Sequence, residues 1–325
     1  MNAGGTRLAP DVSEDEARLL ARAMTYKFAA LGLQMGGAKA VVRGAAANRA
    51  ELMARFCEEI RPLVASLRFL TGPDIGTSEE DFAPLRRPEE SALMRAPMDG
   101  VAFEDLLTGF GVIVAAERAL GSLAGRSIAV EGFGKVGGGV VREAARRGAR
   151  VVAVSTLSGC ARRPEGFAAE ALWELRAEHG DDLVRHLGVP LLAPAALFEA
   201  AADVLVPGAR IGVIDAERAR RLRAGVVAPA ANVPYVAGVP EILRERGILA
   251  LPDFVCNAGA VIGYVSTDLT SHRAVLELVE RRIRELVGEA MRHPAGPFAG
   301  GCALAEGFLR TWRPADGMPA GPPVG

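Results

Sequence analysis

Apolar positions Leu19, Leu20, Ala23 and Met24 recur at helical spacing behind Ser13-x-x-Glu16, a box in which serine and glutamate satisfy the open N–H groups of a helix start. The pattern predicts a helix that runs out before the glycine pair Gly36-Gly37, after which Ala40-Val41-Val42 reads as a short strand. Leu52, Phe56, Ile60, Val64 and Leu67 form an apolar stripe over 49–70, with a kink or break expected at Pro62 because proline lacks an amide donor and crowds the preceding turn. Residues 71–77 read as a loop, and 86–100, rich in charge, proline and methionine without a period, as an irregular linker. Helical periodicity returns over 102–120, and apolar runs at 127–131 and 151–154 predict buried strands on either side of a helix over 138–147. Short apolar runs at 204–206, 225–227 and 248–251 each end in small or turn-forming residues, and a helix is expected over 271–292.

Strands alternating with helices predict an α/β fold with a parallel sheet, which binds ligands outside the carboxyl ends of its strands. The segment after the 127–131 strand, Gly132-Phe133-Gly134-Lys135-Val136-Gly137, is G-x-G-x-x-G between a strand and a helix, the dinucleotide-binding fingerprint in its proper context. Its glycines allow the tight turn and admit a pyrophosphate to the helix N-terminus. The second strand ends in Ser155-Thr156 where an acidic residue would grip the ribose of NAD, and Arg162 and Arg163 follow. Small hydroxyls leave room for a 2′-phosphate that an arginine would pair with, so NAD and NADP both stand.

The 325 residues suffice for two domains, and a hydrophobic fraction of 50% supplies their cores. A net charge of -1 gives no electrostatic case for nucleic acid or an anionic membrane. Cys57, Cys160, Cys256 and Cys302 are scattered without a C-x-x-C pair, so neither a metal site nor a disulfide framework is expected. With no basic-then-apolar leader and no run of about 18 apolar residues, the expectation is a cytoplasmic protein.

Lys27 and Lys39 are the unusual residues, because both lie in the otherwise apolar stretch 24–39. Both could snorkel to water; alternatively one pairs with an anionic substrate group while the other is desolvated into a base that works near neutral pH. Asp74, after a proline, suits a turn bonded to its own backbone, or, if its loop folds over the lysines, a proton shuttle to a substrate nitrogen. Gly4-Gly5, near the start, reads as a close backbone approach or as part of a flexible tail.

Taken together these segments resemble the glutamate/leucine/phenylalanine/valine dehydrogenase family. MTYKFAALGLQMGGAK is similar to its M-T-x-K-x-A-x-x-x-L-x-x-G-G-x-K segment, AGGTR to G-G-x-R, PDIGT to D-V-G-T, LLTGFGV to T-G-x-G-V, and GFGKVG to the nucleotide loop. AANVP and PDFVCNAGAVI are similar to A-N-x-P and P-D-x-x-x-N-A-G-G-V, and the order is the family's from Ala3 to about Val265. The resemblance implies a Rossmann-type NAD(P)-binding domain at 106–260 and an N-terminally shortened α/β substrate domain at 1–105, with a cleft between them. Helices over 261–312 would return to the substrate domain, and 313–325 would be a disordered tail.

By motif match, Lys27 would bind the substrate α-carboxylate with Gly4 and Gly5 nearby, Lys39 would be the base that activates water, and Asp74 would handle protons at the amino group. Asn257 would help hold the substrate, and Thr108 and Asn232 would border the nicotinamide, beside Gly132, Gly134, Lys135, Val136, Gly137, Ser155 and Thr156 on the rest of the coenzyme. The implied reaction is reversible, NAD(P)-dependent oxidative deamination of an L-amino acid to a 2-oxo acid and ammonia, in a homo-oligomer. Glutamate-specific members carry lysine before G-G-x-R; here it is Ala3, and a buried side-chain carboxylate without a cation is costly, so an apolar substrate such as leucine, valine or phenylalanine is expected. Gly72 leaves room for such a side chain. Phe110 replaces a frequent arginine and Ala260 a glycine of N-A-G-G-V. The competing readings are a glutamate dehydrogenase and a non-catalytic NAD(P)-binding paralogue that senses coenzyme or assembles with an active enzyme.

Overall fold

The computed structural model describes residues 1–85, 92–98 and 101–325; of the expected linker over 86–100, residues 86–91 and 99–100 lie outside the described residues. The chain divides into two compact units, Met1–Ala92 with Leu304–Pro323, and Leu93–Ala303 with Val324–Gly325.

The first unit is built on its own amino terminus. Strands β1 (Asn2–Ala3) and β2 (Thr6–Ala9) run parallel to β3 (Gly36–Gly37) and β4 (Ala40–Arg43), with Ala3 opposite Gly37 and Thr6 opposite Ala40. On the other side the same residues meet the 70–75 segment, through parallel bridges Ala3 to Leu70 and Thr6 to Pro73. Helix α1 (Glu14–Ala30) starts where Ser13 Oγ accepts the Glu16 N–H at 3.1 Å, with three acidic residues in its first turn complementing the helix dipole. From Thr25 to Ala30 every side chain is buried, Lys27 included, so the end of α1 is enclosed on all sides. Helix α2 (Arg49–Ala65) contributes Met53 and Cys57 to a core shared with Leu8 and Phe82. It passes through Pro62 and ends three residues later; Leu67, expected on its apolar stripe, lies beyond the helix at φ +55° and is exposed.

The second unit opens with α3 (Ala92–Arg95), the pair β5 (Pro97–Met98) and β6 (Val101–Ala102), and α4 (Phe103–Leu120), whose Gly109–Ala116 stretch is wholly buried. Then follow β7 (Ser127–Glu131), α5 (Lys135–Arg146), β8 (Arg150–Thr156), β9 (Gly159–Phe167), α6 (Ala169–His179), β10 (Ala202–Val206), α7 (Ala216–Arg221), β11 (Ala224–Val227), α8 (Val239–Glu245) and β12 (Leu249–Ala250). Four more helices end the chain, α9 (Asp253–Cys256), α10 (Gly259–Val265), α11 (His272–Ala290) and α12 (Pro297–Leu309). The sheet order is β12-β11-β10-β7-β8-β9, parallel throughout except for β9, which pairs antiparallel with β8. The neighbours β10 and β8 lie on either side of β7, so the chain reverses direction across the sheet at β7, where open α/β sheets bind ligands. Glycines let α4 and α5 approach closely: a Cβ on Gly109 would lie 2.5 Å from the Val140 nitrogen.

Four expectations differ here, the last being the return of the 261–312 helices to the substrate domain. The helix after the glycine loop begins at Lys135, three residues earlier than its apolar period indicates, because Gly134 already serves as its N-cap. Arg162 and Arg163 lie in β9, a strand that the mixed sequence GCARRPEGF does not announce. The end of the chain, expected to be disordered, is held: Gly325 N–H donates to Tyr235 O and Ala237 N–H to Gly325 O, each at 2.9 Å. Helices α10 and α11 pack on α4 within the second unit, and the part of the C-terminal segment grouped with the first unit begins at Leu304.

Candidate active site

In the first unit, Lys39 follows β3, Arg7 lies on β2, and Asp74 sits in the loop that bridges to β2, so three distant segments bring their side chains together. Lys39 Nζ is in contact with Asp74 Oδ2, and Arg7 Nε donates to the same oxygen at 3.0 Å. Arg7 Nη1 also pairs with Glu16 in the first turn of α1. The Lys39 side chain is only 5% exposed, and those of Arg7 and Asp74 are 11% and 18% exposed. The loop is pinned to the strand: Asp74 N–H donates to Thr77 Oγ1 at 2.8 Å, and that hydroxyl donates to Thr6 O at 2.8 Å.

The electrostatics follow from this geometry. Burial pushes the Lys39 ammonium below the usual lysine range and outweighs the pull of Asp74, while the fixed charge of Arg7 repels it further. For Asp74, burial alone would raise the carboxyl, but Lys39 and Arg7 together hold it below the usual range. Arg7 is thus the permanent partner of an ionised Asp74, which leaves Lys39 free to exchange a proton. Gly5 is required beside the pair: a Cβ there would lie 2.9 Å from Pro73 O, 3.1 Å from Asp74 Cβ and 3.4 Å from Lys39 Nζ.

Gly4 and Gly37 also admit a close neighbour. A Cβ on Gly4 would be driven into Ala38 O, and one on Gly37 into Ala21 O and Thr25 N, so both permit close packing of backbone on backbone. Gly37 N–H donates to Thr25 Oγ1 at 3.0 Å, which ties β3 to α1. Lys27 is buried in the last turn of α1. Arg7 is the member of the cluster that candidate selection by residue type passes over; its signal was its place in G-G-x-R, on a strand too short to show a period.

In the second unit, Gly132 has φ +81°, the left-handed region open to glycine, and a Cβ on Gly137 would be driven into the Gly132 carbonyl. A Cβ on Gly134 would meet no protein atom within 4 Å. Gly134 caps α5 without a side-chain bond, so the helix presents unpaired N–H groups and the positive end of its dipole beside exposed Lys135 and half-buried Val136. These features fit a dinucleotide pyrophosphate. At the end of β8, Ser155 O accepts the Gly132 N–H at 2.9 Å, and Thr156 Oγ1 donates to Asp181 O at 2.6 Å. Neither arginine stands there: Arg162 is opposite Ala153, and Arg163 donates to Leu187 O at 2.6 Å and lies over Phe167.

Thr108, in α4, donates its hydroxyl to Glu104 O at 3.1 Å. Asn257 Nδ2 donates to Ala230 O at 3.2 Å and to Asn232 Oδ1 at 3.1 Å. Its Oδ1 is buried without a hydrogen-bond partner, an omission that costs about 1–3 kcal/mol and suits a ligand N–H. Among the described residues, no helix is long and apolar enough to cross a membrane.

Comparison with known proteins agrees across both units. Residues 2–88 match the Glu/Leu/Phe/Val dehydrogenase dimerisation domain, and residues 100–293 match Glutamate/Leucine/Phenylalanine/Valine dehydrogenase. The glutamate dehydrogenase of Thermotoga maritima is 34% identical over 278 residues, covering 79% of this chain and 67% of the relative. That of Aeropyrum pernix is 31% identical over 278 residues, covering 80% of this chain and 66% of the relative. The chain therefore spans about two thirds of the length of these curated relatives. Among solved structures, the hetero-hexameric glutamate dehydrogenase from Thermus thermophilus, in a leucine-bound form, is similar with a TM-score of 0.83 and 26% identity, over 98% of this chain and 82% of that one.

Proposed function

Because this chain belongs to the glutamate/leucine/phenylalanine/valine dehydrogenase family, we propose that it catalyses the reversible oxidative deamination of an L-amino acid to its 2-oxo acid and ammonia, with NAD or NADP. The observation that carries this reading is the buried Lys39, in contact with an Asp74 already neutralised by Arg7. A non-catalytic binder has no use for so costly an arrangement.

The coenzyme supplies the hydride acceptor. Unprotonated Lys39 takes the proton of the water that attacks the imine carbon, and Asp74 exchanges a proton with the departing amino group. Lys27 pairs with the substrate α-carboxylate, with the Gly4 and Gly5 backbone beside it. The orphaned Oδ1 of Asn257 accepts from the substrate nitrogen, while Thr108 and Asn232 border the nicotinamide and the Gly132–Gly137 loop holds the pyrophosphate, with Ser155 and Thr156 toward the ribose.

For the substrate, an apolar side chain is favoured. Ala3, half-buried between Gly37 and Leu70, offers no cation to a side-chain carboxylate. The second reading, glutamate, is favoured by the names of the curated relatives. The match to a dimerisation domain supports a homo-oligomer, and cysteines scattered without a C-x-x-C pair suit a reducing cytosol. The test is reductive amination with ammonia, followed at the NADH and NADPH absorbance over a panel of 2-oxo acids, for wild type and Lys39→Ala. Turnover lost in the variant, and faster with branched or aromatic 2-oxo acids than with 2-oxoglutarate, is expected. Faster turnover of 2-oxoglutarate makes it a glutamate dehydrogenase, and none with either coenzyme removes the enzymatic reading.

A further inference from the structure

In the second unit, Val233 is a non-glycine residue at positive φ. This residue has φ +53°, a conformation that β-branched side chains avoid, and it precedes Pro234, which further biases it toward extended backbone. Such a residue costs about 1–3 kcal/mol and persists only where its surroundings over-determine it. Here the determinant is Asp253. Its side chain is fully buried, and its Oδ2 accepts the Val233 N–H at 2.8 Å. Gly212 N–H donates to Val233 O at 2.8 Å from the other side.

Asp253 opens the one-turn helix α9, and Asn257 closes it. Residues four apart share a helix face, so the spacing P-D-x-x-x-N presents both side chains to the 230–233 turn after β11. Asp253 grips Val233 N–H, and Asn257 grips Ala230 O and Asn232 Oδ1. The turn is therefore clamped on both sides of Asn232.

We propose that Asp253 is a positioning residue for coenzyme binding: its carboxylate holds Val233 in the left-handed conformation that orients the Asn232 amide. The proposal rests on the coenzyme-bordering role given to Asn232 above, but its backbone part is testable independently. A glycine at 233 adopts positive φ without strain, so Val233→Gly substitutes for part of what Asp253 supplies.

The experiment uses the full chain as wild type, Asp253→Ala, Asp253→Asn, Val233→Gly and the Asp253→Ala/Val233→Gly double variant. Three quantities are read: amide hydrogen exchange of the 228–236 peptide against 127–131, affinity for NADH and NADPH by fluorescence titration, and kcat and KM. Asp253→Ala is expected to speed exchange in 228–236 alone by about tenfold to a hundredfold, the loss of one buried hydrogen bond, and to weaken coenzyme binding about tenfold. Val233→Gly alone should change affinity by less than about threefold, and in the double variant it should recover at least about threefold of the loss. If Asp253→Ala does not fold, Asp253→Asn, which keeps the shape but replaces the charged acceptor of the Val233 N–H with a weaker neutral one, is expected to raise the coenzyme KM with kcat little changed. Unaltered exchange in 228–236, a melting temperature lowered with affinity intact, or no recovery in the double variant overturns the proposal. Wild type that binds neither coenzyme refutes the dehydrogenase reading, whereas the exchange comparison still decides the clamp.

Discussion

Gly134→Ala isolates what the glycine loop does for a ligand from what it does for the fold. The residue has φ −87° and ψ −155°, which alanine tolerates, and an added Cβ would meet no protein atom within 4 Å. Folding therefore has no objection to the methyl, and the loss of unfolded-chain entropy should stabilise the protein by about 0.4–1 kcal/mol. A pyrophosphate at the N-terminus of α5 would meet that methyl at the point where the backbone must come closest. Coenzyme affinity should fall by about tenfold to a hundredfold, roughly 1.4–2.8 kcal/mol. Gly137→Ala is the opposite control: its Cβ would be driven into the Gly132 carbonyl, backbone that cannot yield, so about 3 kcal/mol or more of stability should be lost. Thermal melts and fluorescence titrations with NADH and NADPH read both quantities. A Gly134→Ala protein that binds coenzyme as tightly as wild type would refute the placement of the pyrophosphate.

Other outcomes follow from the Lys39 cluster. Burial sets the folded pKa of Lys39 below 10.5, so the folded chain binds fewer protons than the unfolded one between the two values and stability rises with pH across that window; Lys39→Met should flatten the rise in denaturant titrations. In the deamination direction the rising limb of kcat/KM should lie below the range of a free lysine, as its proton must be absent. Asp74 has the depressed value of a paired carboxylate, so its contribution is complete above 3.8 and is lost as pH falls through the folded value; Asp74→Asn should abolish that part of the acid loss. Arg7→Met takes one partner from each of two little-exposed carboxylates, Glu16 and Asp74, of which Asp74 keeps Lys39, and should cost about 1.5–3 kcal/mol while moving the Lys39 limb upward, measured by melts and pH-rate profiles. Ala3→Lys places a cation beside Gly37 and Leu70 and should raise kcat/KM for glutamate relative to leucine by about tenfold or more.

What the linear order of residues determined here is local. Ser13-x-x-Glu16 specifies a helix start, and G-x-G-x-x-G between a strand and a helix specifies a phosphate loop, because each is a set of neighbours whose steric and hydrogen-bonding needs are met within a few residues. Where local signals compete, they mislead. Pro62 predicts a kink or a break, and of the two a break is ruled out because α2 runs on to Ala65; Arg162 and Arg163 read as loop residues able to reach a ribose phosphate, yet the pairing of β9 with β8 carries them away from the strand end.

The chemistry belongs to tertiary structure. Lys39 and Asp74 are legible as unusual residues, but a lysine in apolar sequence snorkels or is desolvated according to what surrounds it in space. Asp74 meets Arg7 across 67 residues of chain only because the 70–75 segment lies against the strand that holds Arg7. Burial, and with it the depressed basicity of the lysine, is a sum over neighbours from three segments, so no window along the chain contains it. Val233 is the same lesson in backbone: nothing in A-N-V-P announces a left-handed valine, which exists because a carboxylate 20 residues later is folded onto its amide.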